Sequence, residues 1–141
     1  MKGKLKILFL CPGNTCRSQM AEGWTHHLKS KTIEPYSAGI IANGLNPHAV
    51  TVMKETGIDI SLYSSKIVES LIDIPFDQVI TVCNLAKESC PVFPKKIKIT
   101  HVSFDYPPSL AKSAKSEEEA LSPFRRVRDQ IRAFIETLPP R

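Results

Sequence analysis

The sequence predicts an α/β fold, a single-domain doubly wound sheet of four parallel strands flanked by helices. Two observations lead there. Short apolar or β-branched runs alternate along the whole chain with stretches of helical periodicity. Two of those runs stop at a cysteine, Cys11 and Cys83, and doubly wound sheets hold their ligands at the carboxyl ends of their strands. If the two strands are parallel neighbours, both thiols open onto one crevice.

The elements follow in order. Residues 4–10 read as a buried strand, whose apolar run from Leu5 to Leu10 is broken only by Lys6. Residues 17–31 read as a helix with Met20, Ala21, Trp24 and Leu28 on one face. Residues 33–38 form a second strand that ends at Gly39. Asn46 is an N-cap, Pro47 suits a first helical position and Gly57 is a stop signal; Ala49, Val50, Val52 and Met53 form the stripe between them. Residues 58–60 read as a short strand, and residues 67–72 as a short helix closed by Pro75. Residues 78–82 are a β-branched strand, and residues 97–102 the fourth strand. The dipeptide Ser122-Pro123 opens the clearest helix, with Phe124, Val127, Ile131, Phe134, Ile135 and Leu138 on one face. Residues 105–115, with Pro107 and Pro108, are the long irregular stretch, and loops of that length in compact domains are often functional.

The loop after the first strand concentrates the chemistry: Cys11-Pro12-Gly13-Asn14-Thr15-Cys16-Arg17-Ser18. Strand, tight loop and helix start aim backbone N–H groups and a positive helix end at an anion. A cysteine at the mouth of such a loop is placed where a thiolate is favoured. Arg17 adds a planar donor fork that suits two oxygens of a tetrahedral oxyanion. Gly13 and Asn14 tolerate the positive φ that a tight cradle needs. A cysteine after a strand is often just a small buried hydrophobe. The glycine, asparagine, arginine, serine and following helix together favour a nucleophile facing a bound oxyanion.

Composition narrows the partners. The 141 residues suit one domain, 1–141, and 42% hydrophobic with 23% charged residues is ordinary for a soluble globular chain. The net charge is +5, but the basic residues are dispersed (Lys2, Lys4 and Lys6; Lys95, Lys96 and Lys98; Arg125, Arg126 and Arg128) with no interleaved aromatics, which argues against nucleic acid and for small anions. Lys2, Lys4 and Lys6 before Ile7-Leu8-Phe9-Leu10-Cys11 mimic a signal segment with a lipidated cysteine. The apolar run is four residues, short of the roughly 7–15 of a secretory segment, and Leu10 is bulky where processing wants a small residue. With no membrane span either, the expectation is a cytoplasmic protein with reduced thiols and no membrane partner. Four cysteines there point to catalysis or metal binding.

Cys83 and Cys90 flank a segment of fair helix propensity. Seven helical steps of ~1.5 Å would put the two Cα atoms about 10 Å apart, beyond the ~7 Å limit of a disulfide. A bridge between them would therefore require the segment to unwind, a redox-driven switch that Pro91 and Pro94 would favour by giving little support to a longer helix. Zinc is the rival reading, but there is no C-x2-C pair, and His26, His27, His48 and His101 show no ligand spacing. Two inert buried thiols are a third. Cys16, inside the cradle, reads as a packing residue or an oxidation hazard, since a Cys11–Cys16 bridge would crush the anion site.

The stretch CPGNTCRSQMAEGW resembles the signature of the thioredoxin-coupled arsenate reductases, which share a fold with the low-molecular-weight protein tyrosine phosphatases. The resemblance continues through Tyr36-Ser37-Ala38-Gly39, Asn46-Pro47, Gly57-Ile58-Asp59-Ile60-Ser61, Thr81-Val82-Cys83, Cys90-Pro91 and Arg126-Val127-Arg128-Asp129. It implies a relay. Cys11 attacks arsenate while Pro12, Gly13, Asn14, Thr15, Cys16 and Arg17 bind the oxyanion and Ser18 hydrogen-bonds the thiolate. Cys83 attacks Cys11, arsenite leaves, and a Cys11–Cys83 disulfide forms. Cys90 then gives Cys83–Cys90, which thioredoxin reduces, with no tightly bound cofactor. A monomer acting in arsenic detoxification, with residual phosphatase activity, is the implied protein. The alternative is a low-molecular-weight tyrosine phosphatase using Cys11 and Arg17, which would not need Cys83 and Cys90.

Two departures from the family pattern stand out. The family carries an aspartate directly before a proline as general acid; here Tyr106 takes that place and Asp105 sits one residue early, as the candidate acid. Some members bind potassium; Asn14, Glu22 and Ser37 match three of its ligands, but Lys66 stands at the fourth, acidic position. The lysine can neutralise Glu22 itself, so no metal is expected to be required.

Overall fold

In the computed structural model, which describes residues 3–84, 93 and 96–138, β1 (Leu5–Leu10) is an inner strand. It pairs in parallel with β2 (Ile33–Ala38) on one side and β3 (Gln78–Thr81) on the other, and β4 (Ile99–His101) adds to β3. The order β2-β1-β3-β4 is the predicted doubly wound parallel sheet. The chain turns from β1 to β2, then crosses to β3, so the switch point lies between β1 and β3. Register places Leu10 opposite both Ala38 and Thr81.

β1 alternates between two cores because successive side chains leave opposite faces. Ile7 and Phe9 join α1 (Arg17–Lys29), α2 (Pro47–Lys54) and α4 (Glu117–Ile135) through Met20, Trp24, Met53, Phe124 and Ile131. Leu8 and Leu10 face Val68, Phe76, Val79 and Phe93 on the other side. Trp24 locks α1 to α4: its indole N–H donates to the Arg128 carbonyl at 3.1 Å, and the Arg132 guanidinium lies 5.0 Å from its ring centroid. No helix among the described residues is long and apolar enough to cross a membrane.

Several boundaries differ from expectation. α4 starts at Glu117, not at Ser122-Pro123: Ser116 is the N-cap, its hydroxyl accepting from Glu119 N at 3.1 Å, and Glu117, Glu118 and Glu119 suit the positive helix end. Pro123 lies inside the helix. Residues 58–60 are not a strand; Ile58 and Ile60 plug the helical core, and a Cβ on Gly23 would come within 2.9 Å of Ile60. The 67–72 segment is a 3-10 turn, Val68–Leu71. α1 stops at Lys29, α2 stops at Lys54, and Gly57 takes φ +88 after a further turn. β3 and β4 are shorter than the 78–82 and 97–102 runs. Inside the supposedly irregular 105–115 stretch, Pro107–Leu110 form one helical turn, α3.

Candidate active site

β1 delivers Cys11 to the carboxyl edge of the sheet, where its N–H still donates to Ala38 O at 3.2 Å. The loop then turns back into α1 at Arg17. Asn14 takes φ +52, the left-handed region its short side chain tolerates. The carbonyls of residues 12–16 are each held by a group outside the loop. Pro12 O accepts from Ile40 N at 3.0 Å, Gly13 O from Asn43 N at 3.1 Å, Thr15 O from Asn46 N at 2.9 Å and Cys16 O from Met20 N at 2.8 Å. Ser65 Oγ and Gln19 Nε2 donate to Asn14 O at 3.0 and 3.2 Å. Among the described residues, the backbone N–H groups of Gly13, Asn14, Thr15 and Cys16 go to no protein oxygen. A tight loop with tethered carbonyls and uncommitted N–H groups at a helix N-terminus is an anion cradle.

Cys11 is a free thiol, almost wholly buried, and its Sγ lies 2.9 Å from Ser18 Oγ. Asn14 Nδ2 donates to the same hydroxyl at 2.8 Å, which frees the Ser18 proton for sulfur. Arg17 is 2% exposed. One terminal nitrogen donates to Phe104 O at 3.1 Å, and its guanidinium carbon stands 4.7 Å from the Tyr106 ring centroid. Cys16 is also free and buried, and burial above all pushes its thiol up to about 12. It is therefore a thiol, not a thiolate, at neutral pH.

Cys83 is buried just beyond β3, the neighbour of β1. The strands run in register to the end, since Val82 N donates to Leu10 O at 2.9 Å. Cys11 and Cys83 thus leave the sheet at adjacent strand ends. Cys90 lies outside the described residues, and so does the expected Cys83–Cys90 pairing. Asp105 sits between the two residues that touch Arg17. Its Oδ1 accepts from Asn84 Nδ2 at 2.8 Å, and its Oδ2 is 3.5 Å from an Arg126 nitrogen.

The potassium-ligand residues are drawn together by other partners. Asn14 Oδ1 accepts from Lys66 N at 2.7 Å and Gln19 Nε2 at 3.0 Å. Ser37 Oγ donates to Glu22 at 2.6 Å, and Lys66 Nζ lies 4.0 Å from the same carboxylate oxygen. Among the described residues no group of three or more His, Cys, Asp or Glu side chains is placed to hold a metal ion.

Sequence reasoning missed two supports. A Cβ on Gly39 would come within 2.8 Å of Asn14 N and of Pro12 O, so only glycine lets β2 pass behind the loop. Gln19 bonds Asn14 twice and reaches Ser64 O at 3.0 Å. Gly39 had a signal, a glycine directly after a strand; Gln19 had none beyond its nearness to the loop.

The comparisons with known proteins agree with this geometry. The family described as low molecular weight phosphotyrosine protein phosphatase matches residues 6–139. An arsenate reductase of Bacillus subtilis (strain 168) is 48% identical over 141 residues, covering 97% of this chain and 99% of its own. A solved arsenate reductase in the phosphate binding state superposes with TM-score 0.73 at 32% identity, covering 95% of each chain. A low molecular weight protein tyrosine phosphatase from T. tengcongensis gives TM-score 0.67 at 26% identity, covering 96% of this chain and 97% of its own. The chain belongs to the low molecular weight phosphotyrosine protein phosphatase family, within the branch of its arsenate reductase relatives.

Proposed function

We propose that this enzyme reduces arsenate to arsenite with three cysteines. The observation that carries the reading is the pairing of an oxyanion cradle at Cys11 with a second cysteine, Cys83, at the adjacent strand end. A phosphatase has no use for the second cysteine. The Cys11 thiolate attacks As(V) and water leaves. The Cys83 thiolate then attacks Cys11 Sγ; the S–As bond breaks, its electron pair stays on arsenic, and arsenite departs as a Cys11–Cys83 disulfide forms. Cys90 attacks Cys83, releases the Cys11 thiolate and leaves Cys83–Cys90 for thioredoxin. Arg17 and the backbone N–H groups of residues 13–17 hold the oxyanion, and Ser18 donates to the thiolate.

Asp105 is the proposed proton donor to the leaving oxygen. Both of its oxygens face N–H donors, so one of those contacts must open first. A monovalent cation does not suit the Asn14, Glu22 and Ser37 set here. Two N–H donors occupy Asn14 Oδ1, and the Lys66 ammonium supplies the positive charge beside Glu22. The enzyme acts as one domain over residues 1–141, as a cytoplasmic monomer, and holds no cofactor of its own.

Arsenate-dependent NADPH oxidation in the presence of thioredoxin and thioredoxin reductase tests the reading. Cys83→Ser and Cys90→Ser are expected to lose multiple turnover, by about 100-fold or more in kcat, since no other thiol can complete the exchange. Parental turnover in either variant would sink the relay. The second reading, a tyrosine phosphatase, draws on the family match and the same cradle. It predicts aryl phosphate hydrolysis that survives Cys83→Ser and no thioredoxin-coupled turnover of arsenate.

A further inference from the structure

We propose that Tyr106 is a positioning residue for Arg17, holding the guanidinium with the face of its ring. The inference rests on the oxyanion cradle of the proposed function but not on the later thiol steps. Arg17 emerges at the first turn of α1 and is 2% exposed, so its long side chain must be aimed by contacts rather than by water. Two of those contacts come from one short stretch. Phe104 O takes a terminal N–H of Arg17 at 3.1 Å, and the Tyr106 ring lies over the guanidinium, 4.7 Å from centroid to carbon. A planar cation between a carbonyl and an aromatic face is fixed in both direction and plane.

The ring is itself held in place. Tyr106 precedes Pro107, which disfavours the helical region for it, and it takes φ −88, ψ 104. Its carbonyl accepts from Ser109 N at 3.2 Å and from Ser109 Oγ at 2.9 Å, and Pro107 is buried beside it. The Tyr-Pro-Pro-Ser turn therefore presents the ring from a short, doubly bonded cap. Tyr106 is 36% exposed, which is more than a ring used only for core packing would show. Its hydroxyl has no part in the contact; the ring face does the holding.

The test uses inorganic phosphate as the probe, read by its protection of Cys11 against alkylation, together with arsenate kinetics. Tyr106→Leu is expected to weaken phosphate protection and raise the arsenate KM by about 3- to 30-fold, the range of a partly desolvated cation–π contact, with a smaller effect on kcat. Tyr106→Phe should match the parent, and Tyr106→Trp should equal or exceed it. Melting temperatures should stay together, because the ring is on the surface. Phosphate affinity unchanged in Tyr106→Leu would overturn the inference, and so would Tyr106→Phe as weak as Tyr106→Leu, which would shift the role to the hydroxyl. A parent protein that phosphate does not protect at all would overturn the cradle itself, a result distinct from an insensitive Tyr106.

Discussion

At the scale of single residues, the site is a set of constraints on one sulfur and one guanidinium. Ser18 and Asn14 aim a hydroxyl at Cys11, while Phe104 and Tyr106 aim Arg17. Cys16 is kept protonated by burial, at about 12, and serves as packing. Asp105 is the residue whose role is decided by kinetics. General acid catalysis contributes about 10²–10⁴-fold, so Asp105→Ala should slow the first arsenate step by at least about 100-fold in rapid-quench measurements and leave reduction by thioredoxin untouched. A first step of parental speed would remove Asp105 from the proton path and leave Tyr106, water or no donor in its place. The loop was legible because the chemistry demands particular residue types in sequence. Gly39 and Gln19 were not, because they act on backbone atoms of residues 12 and 14 and need the fold to meet them.

At the scale of elements, α2 and α4 are tied by a charged strap. Arg125 makes a two-pronged contact with Glu55 (3.0 Å from Nε, 2.8 Å from a terminal nitrogen), and Arg128 adds a third at 2.9 Å. The Arg125 hydrogen bond above all, against some desolvation, holds the Glu55 carboxyl below the usual carboxylate range. A lowered folded value means that the strap's contribution is complete above the unfolded value of about 4.3 and disappears as pH falls through the folded one. The pair is partly exposed, so the contribution is about 1 kcal/mol or less. Glu55→Gln should therefore lower the melting temperature by a few degrees (~3 °C) at pH 6, and the gap should close on acidification towards pH 3. A gap that is constant with pH would show that the charge is not involved. The elements were readable where periodicity and caps agreed, as at β1 and Asn46-Pro47. They misled where a weaker signal mimicked a stronger one. Ser122-Pro123 looked like a helix start, yet Ser116-Glu117-Glu118-Glu119 carries the capping pattern and starts the helix about 1.7 turns earlier. Residues 58–60 have strand composition but join no strand of the sheet, and Ile58 and Ile60 pack over Gly23 instead.

At the scale of the molecule, topology puts the chemistry in one place. The order β2-β1-β3-β4 sets the switch point beside β1, and the loop proposed to hold the oxyanion follows β1 directly. The same order makes β3 the neighbour of β1, which brings the Cys83 position to the edge where Cys11 waits. The fold alone serves hydrolysis and reduction equally well; the cysteine past β3 separates them. That separation is the account's central claim, and a disulfide map after a single arsenate turnover without reductant tests it most directly. Peptide mapping by mass spectrometry should find Cys83 joined to Cys90 in the parent, Cys11 joined to Cys83 when Cys90→Ser is used, and one arsenite released per chain in both. Arsenite release with Cys83 still a free thiol would contradict the account.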